Sequence, residues 1–360
     1  MQRFVSLPIS ALAILLAAAA AAPAQSIFPM FPPTASTIPS NGDVNPYGVV
    51  IVPKTIQKGL GLQPGDILVS NFNDSLNLQG LGTTIVRIAA SGGISTFYTA
   101  SSQHAGLTAA LGVLSNGAVL IGNLPTADGT PATAGSGSLS VLNSYGQYAG
   151  TIGNVPANVD GPWGMAVDDL GSGGTGTAHV FVSNVLSGVI SRFDITYSPA
   201  GASAAITVLA SGLNHRADPA ALELGPSGLA YDAVHNVLLV ASSVDNAVYQ
   251  IPNAATATTQ QSATLLFSDM THLHGPLDIA FLPNGHLVVA NSDGSNVDPN
   301  QPSELVEYTA AGGFVGQMPI DPNNGGAFGL AITNIGWGTF QLAAVDDNTN
   351  TLHNWTAVVP

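Results

Sequence analysis

The stretch Gly161-Pro162-Trp163-Gly164-Met165-Ala166-Val167, followed by an apolar run that closes on Val182-Ser183-Asn184, decides the architecture because it recurs. Its opening returns as Asn45-Pro46-Tyr47-Gly48, Gly225-Pro226-Ser227-Gly228, Gly275-Pro276-Leu277-Asp278 and Gly326-Ala327-Phe328-Gly329. Its ending returns as Val69-Ser70-Asn71, Ile121-Gly122-Asn123, Val240-Ala241-Ser242, Val289-Ala290-Asn291 and Ala344-Val345-Asp346. Self-similarity at a period of tens of residues marks an array of equivalent supersecondary units.

Within a unit, the Pro sets the start of a strand and the Gly permits close packing. An apolar run, an Asn-Gly or Asp-rich turn and a second β-branched run then read as a hairpin. Third strands are visible at residues 84–88, 189–193 and 247–251, and fourth strands at 95–98 and 263–267. The second unit lacks the Pro but keeps the spacing. Four strands per unit make a propeller blade, so the predicted fold is all-β, a six-bladed β-propeller of four-stranded antiparallel blades spanning residues 45–360 as one domain. The last unit offers only three strands. A propeller covers its edges, so the segment 25–44, and within it residues 26–40, is expected to donate the closing strand.

On these motifs the chain is similar to the NHL-type repeats of six-bladed β-propellers, which read Pro-x-Gly-apolar-apolar, then Asp-Gly, then apolar-Val-Ala-Asp. The resemblance covers most of the chain from Asn45 to Trp355. It implies the fold rather than a chemistry, since propellers host binding modules, hydrolases, lyases and oxidoreductases alike. This chain departs from the repeat by placing Asn or Ser where Asp is usual, except at Asp346.

Residues 1–24, with Arg3, an apolar stretch and Ala22-Pro23-Ala24 before Gln25, read as a cleaved secretory signal, so an exported protein, periplasmic or extracellular, is expected. That stretch is short for a bilayer, which takes about 20 apolar residues, and no membrane span is expected elsewhere. The absence of Cys excludes disulfides and thiolate chemistry. With a formal charge of −15 and only Lys54, Lys58, Arg87, Arg192 and Arg216 as cations beyond the signal, nucleic acid and polyphosphorylated ligands are excluded as partners.

In such a propeller the first strand of each blade begins, and the second ends, at one rim of the central channel. Repeat alignment gathers Asn71, Asn123, Asn184, Ser242, Asn291 and Asp346 there, with Asn73, Asp74, Asp245, Asp293 and Asp347 beside them. An oxygen-rich mouth of this kind suits a hard divalent cation such as calcium, which takes six to eight oxygen ligands. The same residue types at strand ends also bond their own backbone to fix a turn, which six repeats would each require. His104, His272 and His274, at the starts of the second and fifth units, form a second constellation; converging, they could hold zinc or another transition metal. The aromatics Tyr47, Trp163 and Phe328 at the x of Pro-x-Gly would either pack between blades or face a ligand.

Gluconolactonase-like propellers place two metal ligands at those same x positions, where this chain has Tyr47, Trp163, Ser227, Leu277 and Phe328. Quinone-dependent sugar dehydrogenases need cations for a tricarboxylate cofactor, and five scattered ones do not supply them. The sequence therefore points to a propeller that binds a protein partner or small ligand at its channel mouth without catalysis of its own. The alternative is a metal-dependent hydrolase or lyase built on the histidines.

Overall fold

In a computed structural model the chain is all-β, and the structure describes residues 34–153, 157–292 and 304–358. The signal-peptide reading of residues 1–24 and the rim candidate Asp293 lie outside the described residues. Strands assemble into six four-stranded antiparallel sheets and one two-stranded sheet. The first strands of the six are Val44–Ile51, Leu107–Val113, Pro162–Asp169, Pro226–Asp232, Pro276–Phe281 and Ala327–Gly336. Each lies beside the first strand of the next sheet, and the sixth lies beside the first. Apolar side chains from neighbouring sheets interlock between them, as Phe181, Ile190, Leu229 and Val240 do between the third and fourth.

Pro-x-Gly has a definite structural meaning. In every sheet the pairing of first and second strands shifts register at this motif: between Pro46 and Val49, Leu107 and Leu111, Pro162 and Gly164, Pro226 and Leu229, Pro276 and Asp278, and Ala327 and Leu330. Such a bulge frees a backbone amide that the ladder no longer satisfies. Ser70 Oγ accepts the Gly48 amide at 2.9 Å and Ser183 Oγ accepts that of Gly164 at 2.8 Å. The glycine itself is required by close approach. A Cβ on Gly164 would lie 2.1 Å from Ser227 O of the next sheet, and one on Gly329 would lie 1.8 Å from Tyr47 O.

The same hydroxyls tie sheet to sheet. Ser70 Oγ donates to Thr108 O at 2.7 Å, Thr108 Oγ1 to Pro162 O at 2.6 Å, Ser183 Oγ to Ser227 O at 2.6 Å, and Ser227 Oγ to Pro276 O at 2.9 Å. From the fifth sheet to the sixth a carboxylate takes over, Asp278 Oδ2 accepting from Leu330 N at 2.9 Å.

The sixth sheet draws its outer strand from the other end of the chain. Thr34–Ser36 lies antiparallel to Thr351–Val358, pairing Thr34 with His353, Ala35 with Leu352 and Ser36 with Thr351. Thr37 fixes the junction by donating both its amide and its hydroxyl to Asn350 O at 3.0 and 2.9 Å.

Candidate functional site

Strand register sets the six aligned rim residues at one level. Asn71 pairs with Pro46, Asn123 with Leu107, Asn184 with Pro162, Ser242 with Pro226, Asn291 with Pro276 and Asp346 with Ala327. All six are buried and each uses part of its polar side chain within the scaffold, while Asn71 Oδ1 and Asn291 Oδ1 have no hydrogen-bond partner among the described residues. Asn71 Nδ2 donates to Thr37 O at 3.0 Å, Asn123 Nδ2 to Ala105 O at 3.0 Å and Asn291 Nδ2 to His272 O at 2.5 Å, each holding the chain that leads into its own sheet or, for Thr37, crosses to it. Asn184 Oδ1 accepts from Asp160 N at 2.9 Å, Ser242 Oγ donates to Asp245 at 2.9 Å, and Asp346 accepts from Asn348 N at 3.0 Å and from the Thr349 hydroxyl. None of the six lines the cavity described below.

His104 and His272 lie against the outermost strands of the second and fifth sheets. His104, on the short 3₁₀ turn Ser102–His104, stacks on Tyr148 of the second sheet's outermost strand at 5.0 Å. His272 stacks on Phe314 of the fifth sheet's outermost strand at 3.8 Å and pairs through Nδ1 with Asp269 at 2.7 Å. His274 Nε2 lies 3.3 Å from Thr271 O. The repeat equivalence of His104 and His272 is thus real in position, but equivalent positions in the second and fifth sheets are far round the ring. Among the described residues no group of three or more His, Asp or Glu side chains comes together in a way that could hold a metal ion.

The x residues meet at the axis rather than between sheets. Tyr47 lies 4.6 Å from Phe328 and 5.5 Å from Trp163, ring centre to ring centre, and Phe72 lies 4.8 Å from Tyr47. Tilted and edge-on contacts of this kind are the favoured aromatic geometries. In the first four sheets the identity of x follows the inter-sheet ties. Where the second strand supplies the hydroxyl, from Ser70 or Ser183, x is free to be Tyr47 or Trp163. Where the second strand has Gly122 or Ala241, x must be Thr108 or Ser227.

Above this aromatic layer opens a cavity of 270 Å³, floored by Tyr47, Trp163 and Phe328 and walled by Asn45, Asn73, Gln79, Glu223, Asp347 and Asn348. Glu223 arrives on the small two-stranded sheet of Arg216–Asp218 and Leu222–Leu224, inserted between the third and fourth sheets, with Leu222 at φ 62° turning the chain inward. Its carboxyl is pushed up to about 7 by burial and then by the charge of Asp218. Asp347, directly after the rim position, is pushed up to about 7 by burial and by Asp346. Burial, and then Asp347, raises the Tyr47 hydroxyl well above its ordinary value. Desolvated carboxyls in a concave site are a common mark of a functional surface.

Below the aromatic layer, Val49, Met165, Ile279 and Leu330, each two residues beyond an x position, line a second cavity of 470 Å³ that Asp168 and Asp278 also line. Asp278 reaches it from the position where the repeat has Gly, and burial pushes its carboxyl up to about 7 against the two amides, Leu330 N and Ile279 N, that it accepts.

No family model matches the chain, and no curated protein sequence matches it either. Solved structures do. A gluconolactonase from Xanthomonas campestris superposes with a TM-score of 0.52 at 10% identity, over 94% of this chain and all of that one. A luciferin-regenerating enzyme gives 0.51 at 11% identity over 91% and 95%. A calcium-binding protein, regucalcin, from Agrobacterium tumefaciens gives 0.51 at 12% over 90% and 94%. At such identities the likeness is one of fold, and this chain is a β-propeller.

Proposed function

We propose that the protein is an exported, six-bladed NHL-like propeller that captures a small ligand at the mouth of its axial channel. The six four-stranded sheets, with first strands in contact in chain order and the sixth against the first, support the blade count. One observation carries the functional reading: a polar-walled cavity opens above Tyr47, Trp163 and Phe328, with the Glu223 and Asp347 carboxyls on its wall and Asn45 Oδ1 and Asn73 Oδ1 left without a hydrogen-bond partner, whereas none of the aligned rim residues lines it. At 270 Å³ the cavity falls just below the range of drug-sized sites, about 300–1,000 Å³, and suits a small molecule better than a peptide. The role is capture rather than turnover. Of the histidines that a metal-dependent hydrolase or lyase would use, His104 stacks on the outermost strand of the second sheet and His272 on that of the fifth, and no three such side chains come together among the described residues.

The test is a melting-temperature screen of the purified protein against neutral polyols, amines, carboxylic acids and divalent cations. A stabilising compound should be recovered chemically unchanged, and its effect should disappear when Trp163 is exchanged for Ala. A compound consumed during incubation would make the protein an enzyme instead.

A further inference from the structure

Hydrogen-bonding capacity around the mouth cavity is one-sided. Three of the six amides lining it spend their donors inside the protein: Asn73 Nδ2 on Asn77 Oδ1 at 2.7 Å, Gln79 Nε2 on Ala220 O at 3.0 Å, and Asn348 Nδ2 on Asp321 Oδ1 at 2.9 Å and Asn324 O at 3.0 Å. Every one of those partners is an acceptor, which fixes each amide with its NH₂ group inward to the scaffold and its carbonyl left over. Acceptors remain in surplus. Asn45 Oδ1 and Asn73 Oδ1 are buried without a hydrogen-bond partner, on residues only 7% and 2% exposed. Glu223 and Asp347 add two carboxyl groups whose oxygens receive no hydrogen bond among the described residues, and no Lys or Arg lines the cavity.

A buried acceptor left unpaired costs about 1–3 kcal/mol, and a charged one more, so this surface is complementary to a ligand that brings donors and positive charge. The floor of Tyr47, Trp163 and Phe328, each less than a tenth exposed, offers an apolar surface for the carbon body of such a ligand. A bare metal ion is the poorer complement. Calcium draws six to eight oxygens to about 2.3–2.6 Å around a single point, whereas here the acceptors are spread over the wall of a 270 Å³ space. We propose that the ligand is a small organic ammonium compound, its N–H groups directed at Asn45, Asn73, Glu223 and Asp347 and its carbon body lying on the aromatic floor. This rests on the channel-mouth reading above and sharpens it to a ligand class.

The experiment is titration calorimetry of the intact mature chain with propylammonium and benzylammonium chlorides, the matching alcohols, glucose and calcium chloride. An ammonium probe should bind at least tenfold more tightly than its alcohol. Glu223→Gln and Asp347→Asn, each with an unchanged melting profile, should weaken it about tenfold or more, the size expected for loss of a charge-assisted hydrogen bond. Should a variant unfold, the ammonium-to-alcohol ratio in the wild-type protein decides alone. Alcohols or glucose binding as well as the ammonium probes, or calcium binding in their stead, would overturn the ammonium assignment and leave the mouth as a binding site. Failure of every probe would overturn both readings.

Discussion

Ser183 has no exposed surface and holds two sheets at once, accepting from Gly164 N at 2.8 Å and donating to Ser227 O at 2.6 Å. Replacing it by Ala leaves a buried amide and a buried carbonyl without partners, at about 1–3 kcal/mol each. Ser183→Ala should therefore lower the unfolding free energy by about 2 kcal/mol or more in a denaturant titration, while Ser198→Ala, on an exposed strand end, should change it by less than about 0.5 kcal/mol. Equal effects at the two sites would refute the tie. The repeat Val-Ser-Asn in the sequence carries no signal for the direction of these side chains. Alternation and spacing place Ser183 and Asn184 at a strand end near the axis, but which way each side chain turns depends on the bulge at Pro162-Trp163-Gly164, visible only once two strands are paired. Asn73 and Asp347, one or two residues past the aligned positions, reach the cavity instead.

Among the elements, the strand Thr34–Ser36 carries more than its three residues suggest. Without it the last strand of the sixth sheet, Thr351–Val358, would present an open edge, and Thr37, with no exposed surface, would no longer hold Asn350. The loss reaches the first sheet too, since Asn71 donates to Thr37 O and Asn350 Oδ1 accepts from Asn45 N at 2.7 Å, beside the mouth. Deleting residues 25–40 of the mature chain should lower the melting temperature by at least about 5 °C, read by circular dichroism. An unchanged melt would show that the sixth sheet stands without its donated strand. A deficit of one strand in the last repeat makes the need for a donor legible in the sequence, although the prolines around it hide how short the strand is. The hairpin bearing Glu223 gives no such signal. Its two strands are three residues each, too short for any periodicity, and it lies outside the repeat, so alignment of units passes over it.

For the whole molecule, three buried carboxyls at the axis bind protons more tightly folded than unfolded: Glu223, Asp278 and Asp347, each pushed up to about 7 from ordinary values of 3.8 to 4.5, with burial the leading cause in all three. Between about pH 4 and pH 7 the native state thus holds more protons than the unfolded chain, and stability falls as pH rises through that window. The opposing groups act elsewhere. Burial would raise Asp218, Asp232 and Asp269 as well, but hydrogen bonds from Ala220 and Arg216, from His235 and from His272 hold them below the ordinary range, so what they contribute is lost only below about pH 4. The formal charge of −15 adds self-repulsion at high pH in the same direction. The melting temperature should therefore be highest near pH 5 and decline toward pH 8. Salt distinguishes the causes, because diffuse repulsion is screened by added salt whereas desolvation of a carboxyl held inside the channel is screened much less. Asp278→Asn should flatten the decline at high as well as low salt, because it removes the carboxyl whose ionised form is desolvated, while the new side chain's single oxygen keeps only one of the two amides, Leu330 N and Ile279 N, so the variant is less stable than the parent at pH 5 and gains on it toward pH 8. A decline that vanishes in salt and is untouched by Asp278→Asn would assign the pH response to surface charge, and would mean that the carboxyl standing in place of the repeat's Gly, between the fifth and sixth sheets, is held there without strain.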